Sequence, residues 1–192
     1  PRQGDFLFHQ MNFMKGAPEK ALPIRQWRES TKGMDRELVP VLVLSSSAKL
    51  DVKAAEKARE IPHAVAAWAE AWRRKDVDRM MSFYSDIVTL WDTDKNKPFV
   101  FTKEEMTKRR SDVFAKCGTI TLALSEPVCI VDPRSPDLAV AVFSQQYQSQ
   151  TYADEGEKAL MLRLEQDASG TSRQWKIVGQ LWVPWKITQL KR

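Results

Sequence analysis

Between His63 and Asp94 a helical apolar pattern, a short charged break, a second helical turn and a strand succeed one another with almost no spare residues. Val65, Trp68, Ala69 and Trp72 recur at three- and four-residue spacing, so they share one face of an amphipathic helix, and that face is aromatic. Pro62 suits the start of that helix, where a missing N–H leaves nothing unpaired. Asp76 is placed to cap a second short helix running through Met80, Met81, Phe83 and Tyr84. A strand over Ile87 to Trp91 comes next, and Asp92 to Lys97 reads as a polar turn. Thr102 with Glu105 three residues on forms a capping box, which predicts a third helix to about Lys116. Helices set this close together must fold back on the rest of the chain.

The remainder of the chain is strand-forming. Thr119 to Ile130 alternates into a break at Asp132-Pro133-Arg134-Ser135-Pro136, then Leu138 to Gln150, Glu157 to Glu165 and Arg173 to Lys186 alternate again. Asp167-Ala168-Ser169-Gly170 suits a hairpin loop. Three helices ahead of a mainly antiparallel sheet is an α+β layout, and long strands of this kind bend around their helices. Residues 1–60 differ in texture, with scattered Pro and Gly and no sustained period, and read as an arm or linker ahead of a domain over 61–192. Within the arm Val39 to Leu44 could add a strand, with Pro40 favouring an edge or a strand start, and Ser45-Ser46-Ser47 could cap a short helix over Asp51 to Arg59.

A chain of 192 residues, 43% hydrophobic, can bury one sizeable core. Its 30 basic and 25 acidic residues are interspersed, so the net charge of +5 forms no stripe, and nucleic acid is not expected as a partner. Cys117 and Cys129 are too few for a disulfide scaffold or a zinc site; two ordinary thiols are the simpler reading, and a bridge between them stays open. His63 and His9 have no companions at metal-ligand spacing, so no metal is expected. No glycine-flanked serine elbow or glycine-rich phosphate loop occurs, and no cofactor is expected. No apolar run approaches the roughly 20 residues that span a bilayer. Pro1 is not an initiator Met, so the chain reads as processed or trimmed, with a removed export signal or an upstream domain both open.

The run Ala67-Trp68-Ala69-Glu70-Ala71-Trp72-Arg73-Arg74-Lys75-Asp76-Val77-Asp78, then Phe83-Tyr84-Ser85-Asp86, carries a resemblance over residues 61–186. It resembles the nuclear-transport-factor-2-like (SnoaL-like) superfamily, whose pattern is a helix, a polar-Asp break, and a helix ending in an aromatic-x-Asp before the first strand. The resemblance implies a cone with a pocket between the first helix and the concave face of a curved sheet. A narrower likeness lies in Phe143 to Asp154, Lys158-Ala159-Leu160 and Trp175-Lys176-Ile177-Val178, which is similar to the C-terminal accessory domain of some bacterial cell-wall L,D-transpeptidases and L,D-carboxypeptidases. That likeness implies a noncatalytic companion domain in the periplasm or cell envelope if an export signal was removed, and a cytoplasmic one otherwise.

The superfamily's pocket makes Trp68, Trp72, Tyr84, Trp91, Tyr147 and Trp182 the aromatic candidates for ligand binding. Large aromatics on one helix face are also what an ordinary core uses. Steroid isomerases of the superfamily carry a general-base carboxylate at the end of the first strand, close to Asp92, where an apolar cone would raise its basicity. Asp92 could equally begin the Asp92-Thr93-Asp94 turn, and where those isomerases have a hydrogen-bonding Tyr this chain has Trp68. Alternation places Ser144, Gln146 and Gln148 on one strand face and Gln145, Tyr147 and Ser149 on the other, so one amide row meets solvent, a partner or a pocket. Leu181-Trp182-Val183-Pro184-Trp185 is a further aromatic patch suited to a protein contact. The leading expectation is a noncatalytic binding or assembly domain for a peptide- or glycan-like ligand or an envelope protein partner, as a homodimer. The alternatives are a small isomerase, cyclase or dehydratase using Asp92 as base, and a purely structural module.

Overall fold

Helix α1 (Glu60–Arg74) buries Ile61, Val65, Trp68, Ala69 and Trp72, the stripe that its apolar spacing predicts. In the computed structural model the described residues are 56–92, 97–132, 135–167 and 170–190. The chain leaves α1 through Lys75, a non-glycine residue at φ 55°, whose N–H reaches the carbonyls of Ala71 and Trp72. Asp76 then caps α2 (Val77–Ser82) by accepting from the Arg79 N–H at 2.9 Å. Helix α3 (Lys103–Lys116) starts with the expected reciprocal box between Thr102 and Glu105.

The strands are β1 (Tyr84–Asp92), β2 (Lys97–Thr102), β3 (Thr121–Leu124), β4 (Val128–Asp132), β5 (Ser135–Gln148), β6 (Tyr152–Gln166) and β7 (Arg173–Gln189). They form one sheet in the order β2-β1-β7-β6-β5-β3, with β4 also paired to β5. Every pairing is antiparallel except that of β1 with β7, which run parallel and close the helical half onto the sheet. Shifts in register between Glu155 and Gly156 and between Met161 and Leu162 bend the long β6–β7 ladder around the helices. At Gly156 the backbones press together: a Cβ there would sit 2.3 Å from the Val183 carbonyl oxygen, so only glycine fits the bulge. The result is the curved α+β cone.

Alternation splits the residues of the long strands between two apolar clusters. Ala139, Ala141, Phe143, Leu160 and Leu162 pack under the helices with Trp68 and Tyr84, whereas Val140, Val142, Ala159, Leu181 and Val183 form a smaller cluster on the opposite face. In the main core, Trp68 lies 6.1 Å from Trp72 and 6.2 Å from Phe143, ring centre to ring centre. Burying each of these large side chains contributes roughly 2–3 kcal/mol, and the edge-to-face contacts add about 1 kcal/mol. Trp175 donates its indole N–H to the Lys57 carbonyl at 2.8 Å, pinning the segment that leads into α1.

Several expected boundaries move. The second helix stops at Ser82, and Tyr84 already belongs to β1. Residues Lys97 to Thr102, not expected as a strand, pair with β1; Pro98 sits near the strand start, where a missing N–H costs little. The stretch expected as one strand from Thr119 to Ile130 is two, β3 and β4, separated by Ser125-Glu126-Pro127, where Pro127 cannot donate to the ladder. The strand expected over Val39–Leu44 and residues 93–96 of the expected turn lie outside the described residues, as does most of the helix expected over Asp51–Arg59, of which residues 56–58 are helical. Both cysteines are free and buried. Among the described residues, no helix is long and apolar enough to cross a membrane.

Candidate functional site

A cavity of about 570 Å³ opens between α3 and the concave face of the sheet, within the size range of small-molecule sites. Helix α3 forms more of its wall than α1, which contributes Trp72 alone. The difference from the pocket expected beside the first helix comes from packing: α1 sits deep, its Trp68 1% exposed, and fills the narrow end of the cone.

Each polar wall residue is delivered by a simple periodicity. On α3, Met106, Arg110 and Phe114 stand four residues apart, so Arg110 lies on the stripe that buries the other two. On β6, Asp154, Lys158, Leu160 and Leu162 share one face by alternation, and the register sets Lys158 opposite Trp182 and Leu160 opposite Gln180 on β7. On β5, Gln145 and Tyr147 line the cavity, joined by Ser149 just past the strand end, while Gln146 and Gln148 face solvent, so the inward row of this polar segment serves the pocket.

Lys158 is the unusual group. Its side chain is 8% exposed, and its ammonium lies 5.4 Å from the ring centre of Trp68 and 5.1 Å from that of Trp182. Burial pushes its pKa down to about 7, the charge of Arg110 pushes the same way, and Asp154 opposes. The Arg110 guanidinium stacks at 4.7 Å over Trp72, and burial lowers its pKa as well. The Asp154 carboxyl is raised by burial, against a hydrogen bond that Tyr152 donates to Oδ2 at 3.0 Å. Behind Lys158 the Tyr84 hydroxyl accepts from Trp68 Nε1 at 3.0 Å and from Gln180 Nε2, and burial raises its pKa. This is a rigid support, because both donors would be orphaned without Tyr84.

Three buried polar atoms in this wall have no hydrogen-bond partner among the described residues: Trp72 Nε1, Arg110 Nε and Asp154 Oδ1. Such atoms are rare in folded chains and cost about 1–3 kcal/mol each when left unpaired. All three belong to residues that line the one hollow, so its wall carries polar groups that the described residues leave unpaired.

Of the candidates named from sequence, Trp72, Trp91, Tyr147 and Trp182 line the cavity. Trp68 and Tyr84 do not; each is 1% exposed and stands behind the wall. Asp92 ends β1 beside Trp182 in the backbone register, and its side chain lies outside what the structure describes. Arg110, Asp154, Lys158 and Gln180 were not anticipated. The signal was present: Lys158 interrupts an apolar alternation, and Arg110 interrupts a four-residue apolar spacing, each where a charge has no solvated reason to stand. Among the described residues no three His, Cys, Asp or Glu side chains are grouped to hold a metal.

The family model of the Cds6 C-terminal NTF2-like domain matches residues 60–179. Among solved structures the chain is similar to Bd1075 of Bdellovibrio bacteriovorus, at 20% identity and a TM-score of 0.53, covering 67% of this chain and 40% of that one. An NTF2-like protein of unknown function from Pseudomonas putida KT2440 aligns at 19% identity and a TM-score of 0.52, over 67% of this chain and 85% of the other. A ketosteroid isomerase-like protein from Erwinia carotovora atroseptica SCRI1043 aligns at 19% identity and a TM-score of 0.51, over 68% and 98%. At these identities the likenesses show the fold. No curated protein sequence matches significantly.

Proposed function

The chain belongs to the family of the Cds6 C-terminal NTF2-like domain, and from that premise we propose that it is a noncatalytic binding domain of the bacterial cell envelope. In this reading the cone holds a peptide- or glycan-like ligand. The observation that carries it is the convergence of three unpartnered buried polar atoms on a hollow walled by indole rings. The envelope assignment is supported by the likeness of Phe143 to Asp154 and Trp175 to Val178 to accessory domains of cell-wall transpeptidases, and by the bacterial source of the structures to which the chain is similar. Assembly as a homodimer or with an envelope protein is supported by Trp185 and Ile187, 53% and 48% exposed near the end of β7.

The test is a titration of the ¹⁵N-labelled protein with soluble disaccharide-peptide fragments of peptidoglycan, observed at the indole N–H resonances. Binding in the cone moves Trp72 and Trp182 and is lost in Trp72→Ala. Shifts confined to Trp185, or binding unchanged in Trp72→Ala, overturn the pocket reading.

A second reading, a small isomerase or dehydratase, is favoured by Asp154, a carboxyl raised by burial at the cavity wall. In this form the base would be Asp154 on β6 or Asp92 at the end of β1. Conversion of a β,γ-unsaturated ketone to its conjugated isomer, abolished by Asp154→Asn or Asp92→Asn, would establish it. No conversion above the double variant would remove it.

A further inference from the structure

The pocket reading leaves the chemistry of the guest open, and the polar groups of the wall narrow it. Of the three unpartnered atoms, Trp72 Nε1 and Arg110 Nε can only donate. The Arg110 guanidinium stacks on the Trp72 indole at 4.7 Å, which brings these two donors to the same part of the wall. Lys158, more than nine-tenths buried, adds an ammonium that also only donates, and no carboxylate oxygen lies within ion-pair distance of Arg110 or Lys158 among the described residues. Asp154, the acid nearest in effect to Lys158, has one oxygen already taken by Tyr152. Two cations thus repel each other at one cavity, where the unpartnered buried donors, Trp72 Nε1 and Arg110 Nε, outnumber the one unpartnered acceptor, Asp154 Oδ1. A neutral guest would leave that repulsion in place, whereas an oxyanion between the two cations would be attracted by both and offset it.

Resting on the pocket reading, we infer that Arg110, Lys158 and the Trp72 indole N–H form an oxyanion subsite, and that the ligand is a small organic acid whose carboxylate binds there. The rest of the ligand would lie along the ring of Trp182 and the Gln145 amide, which line the same hollow. A peptide ending in a free carboxylate fits this description, and so does an acidic sugar. The cavity, at about 570 Å³, has room for a body of two or three rings or residues beside the headgroup.

The test uses two fluorescent probes of nearly equal shape, 8-anilinonaphthalene-1-sulfonate and its neutral counterpart N-phenyl-1-naphthylamine, titrated into the whole chain at pH 6. The sulfonate should bind about tenfold or more tighter than the neutral probe, the scale of one buried charge-assisted contact. Lys158→Met and Arg110→Gln should each shrink that preference and together abolish it, while neutral-probe binding persists and reports an intact pocket. Acetyl-dialanine should displace the sulfonate, and its methyl ester should not. Equal binding of both probes overturns the oxyanion subsite and leaves the pocket reading standing. A preference for sulfonate that survives both substitutions places the anion elsewhere on this basic chain and overturns the inference. If neither probe binds, the pocket reading falls and the inference with it.

Discussion

Replacing Lys158 by Met should stabilise the protein, and by an amount that depends on pH in a defined direction. Lysine falls from its ordinary 10.5 to about 7 in this fold. At about 1.4 kcal/mol for each tenfold change in a proton equilibrium, that fall corresponds to about 5 kcal/mol of unfavourable free energy for keeping the folded cation. Between pH 7 and pH 10.5 the unfolded chain holds a proton at this site that the folded chain does not. Unfolding then takes up a proton, so the wild-type protein gains stability as pH rises through that window. Below pH 7 both states are protonated and the full penalty stands. Methionine has a similar length and no charge, and packs against indoles. Urea unfolding should therefore find Lys158→Met more stable than wild type by up to about 5 kcal/mol at pH 6, with the gap closing steadily towards pH 10. Lys158 also acts on its neighbours: its charge holds the Asp154 carboxyl lower than burial alone would and repels Arg110, and both effects leave with the ammonium in the variant. A gap near zero at pH 6, or one constant from pH 6 to pH 10, would refute the reasoning and mean that the ammonium is solvated or ion-paired.

Tyr84→Phe removes one hydroxyl and strands two buried donors, Trp68 Nε1 and Gln180 Nε2, so denaturant unfolding should show a loss of about 2–4 kcal/mol; a loss under about 1 kcal/mol would mean that water replaces the hydroxyl. Gly156→Ala puts a Cβ 2.3 Å from the Val183 carbonyl oxygen and 2.9 Å from Pro184 Cα, both backbone, and should lower stability by at least about 2 kcal/mol. A melting temperature unchanged from wild type would show that the β6–β7 bulge yields freely. The Cys129 thiol, 3% exposed and pushed up to about 12 by burial, should react with a thiol reagent at pH 8 only as the protein unfolds, with labelling kinetics that track added urea. Prompt labelling of Cys129 in the native protein would place it at the surface instead.

The helical half of the fold was legible because its signals are local. The Trp68–Trp72 stripe, the Asp76 cap and the Thr102–Glu105 box each act within a few residues, and each appears in the structure where the spacing puts it. Strand β2 escaped because the three-residue apolar run Phe99-Val100-Phe101 behind Pro98 acquires its meaning only from the partner β1. The split of β3 from β4 was missed for the complementary reason: Pro127 breaks an alternation that otherwise continues on both sides.

The site divides along the same line. Sequence alone determined that this chain folds as an α+β cone with aromatic residues turned inward, because apolar period and capping are properties of neighbours in the chain. Which of those aromatics fill the cone and which border a hollow was decided only in three dimensions. Trp68 and Trp72 lie four residues apart on one helix, yet the depth at which α1 meets the sheet seals one and leaves the other at the cavity. Tertiary structure alone likewise brought Arg110 of α3 and Lys158 of β6 to one cavity, across 48 residues of chain, where each perturbs the other's surroundings. Electrostatic coupling depends on distance and burial, and neither is written in the order of residues.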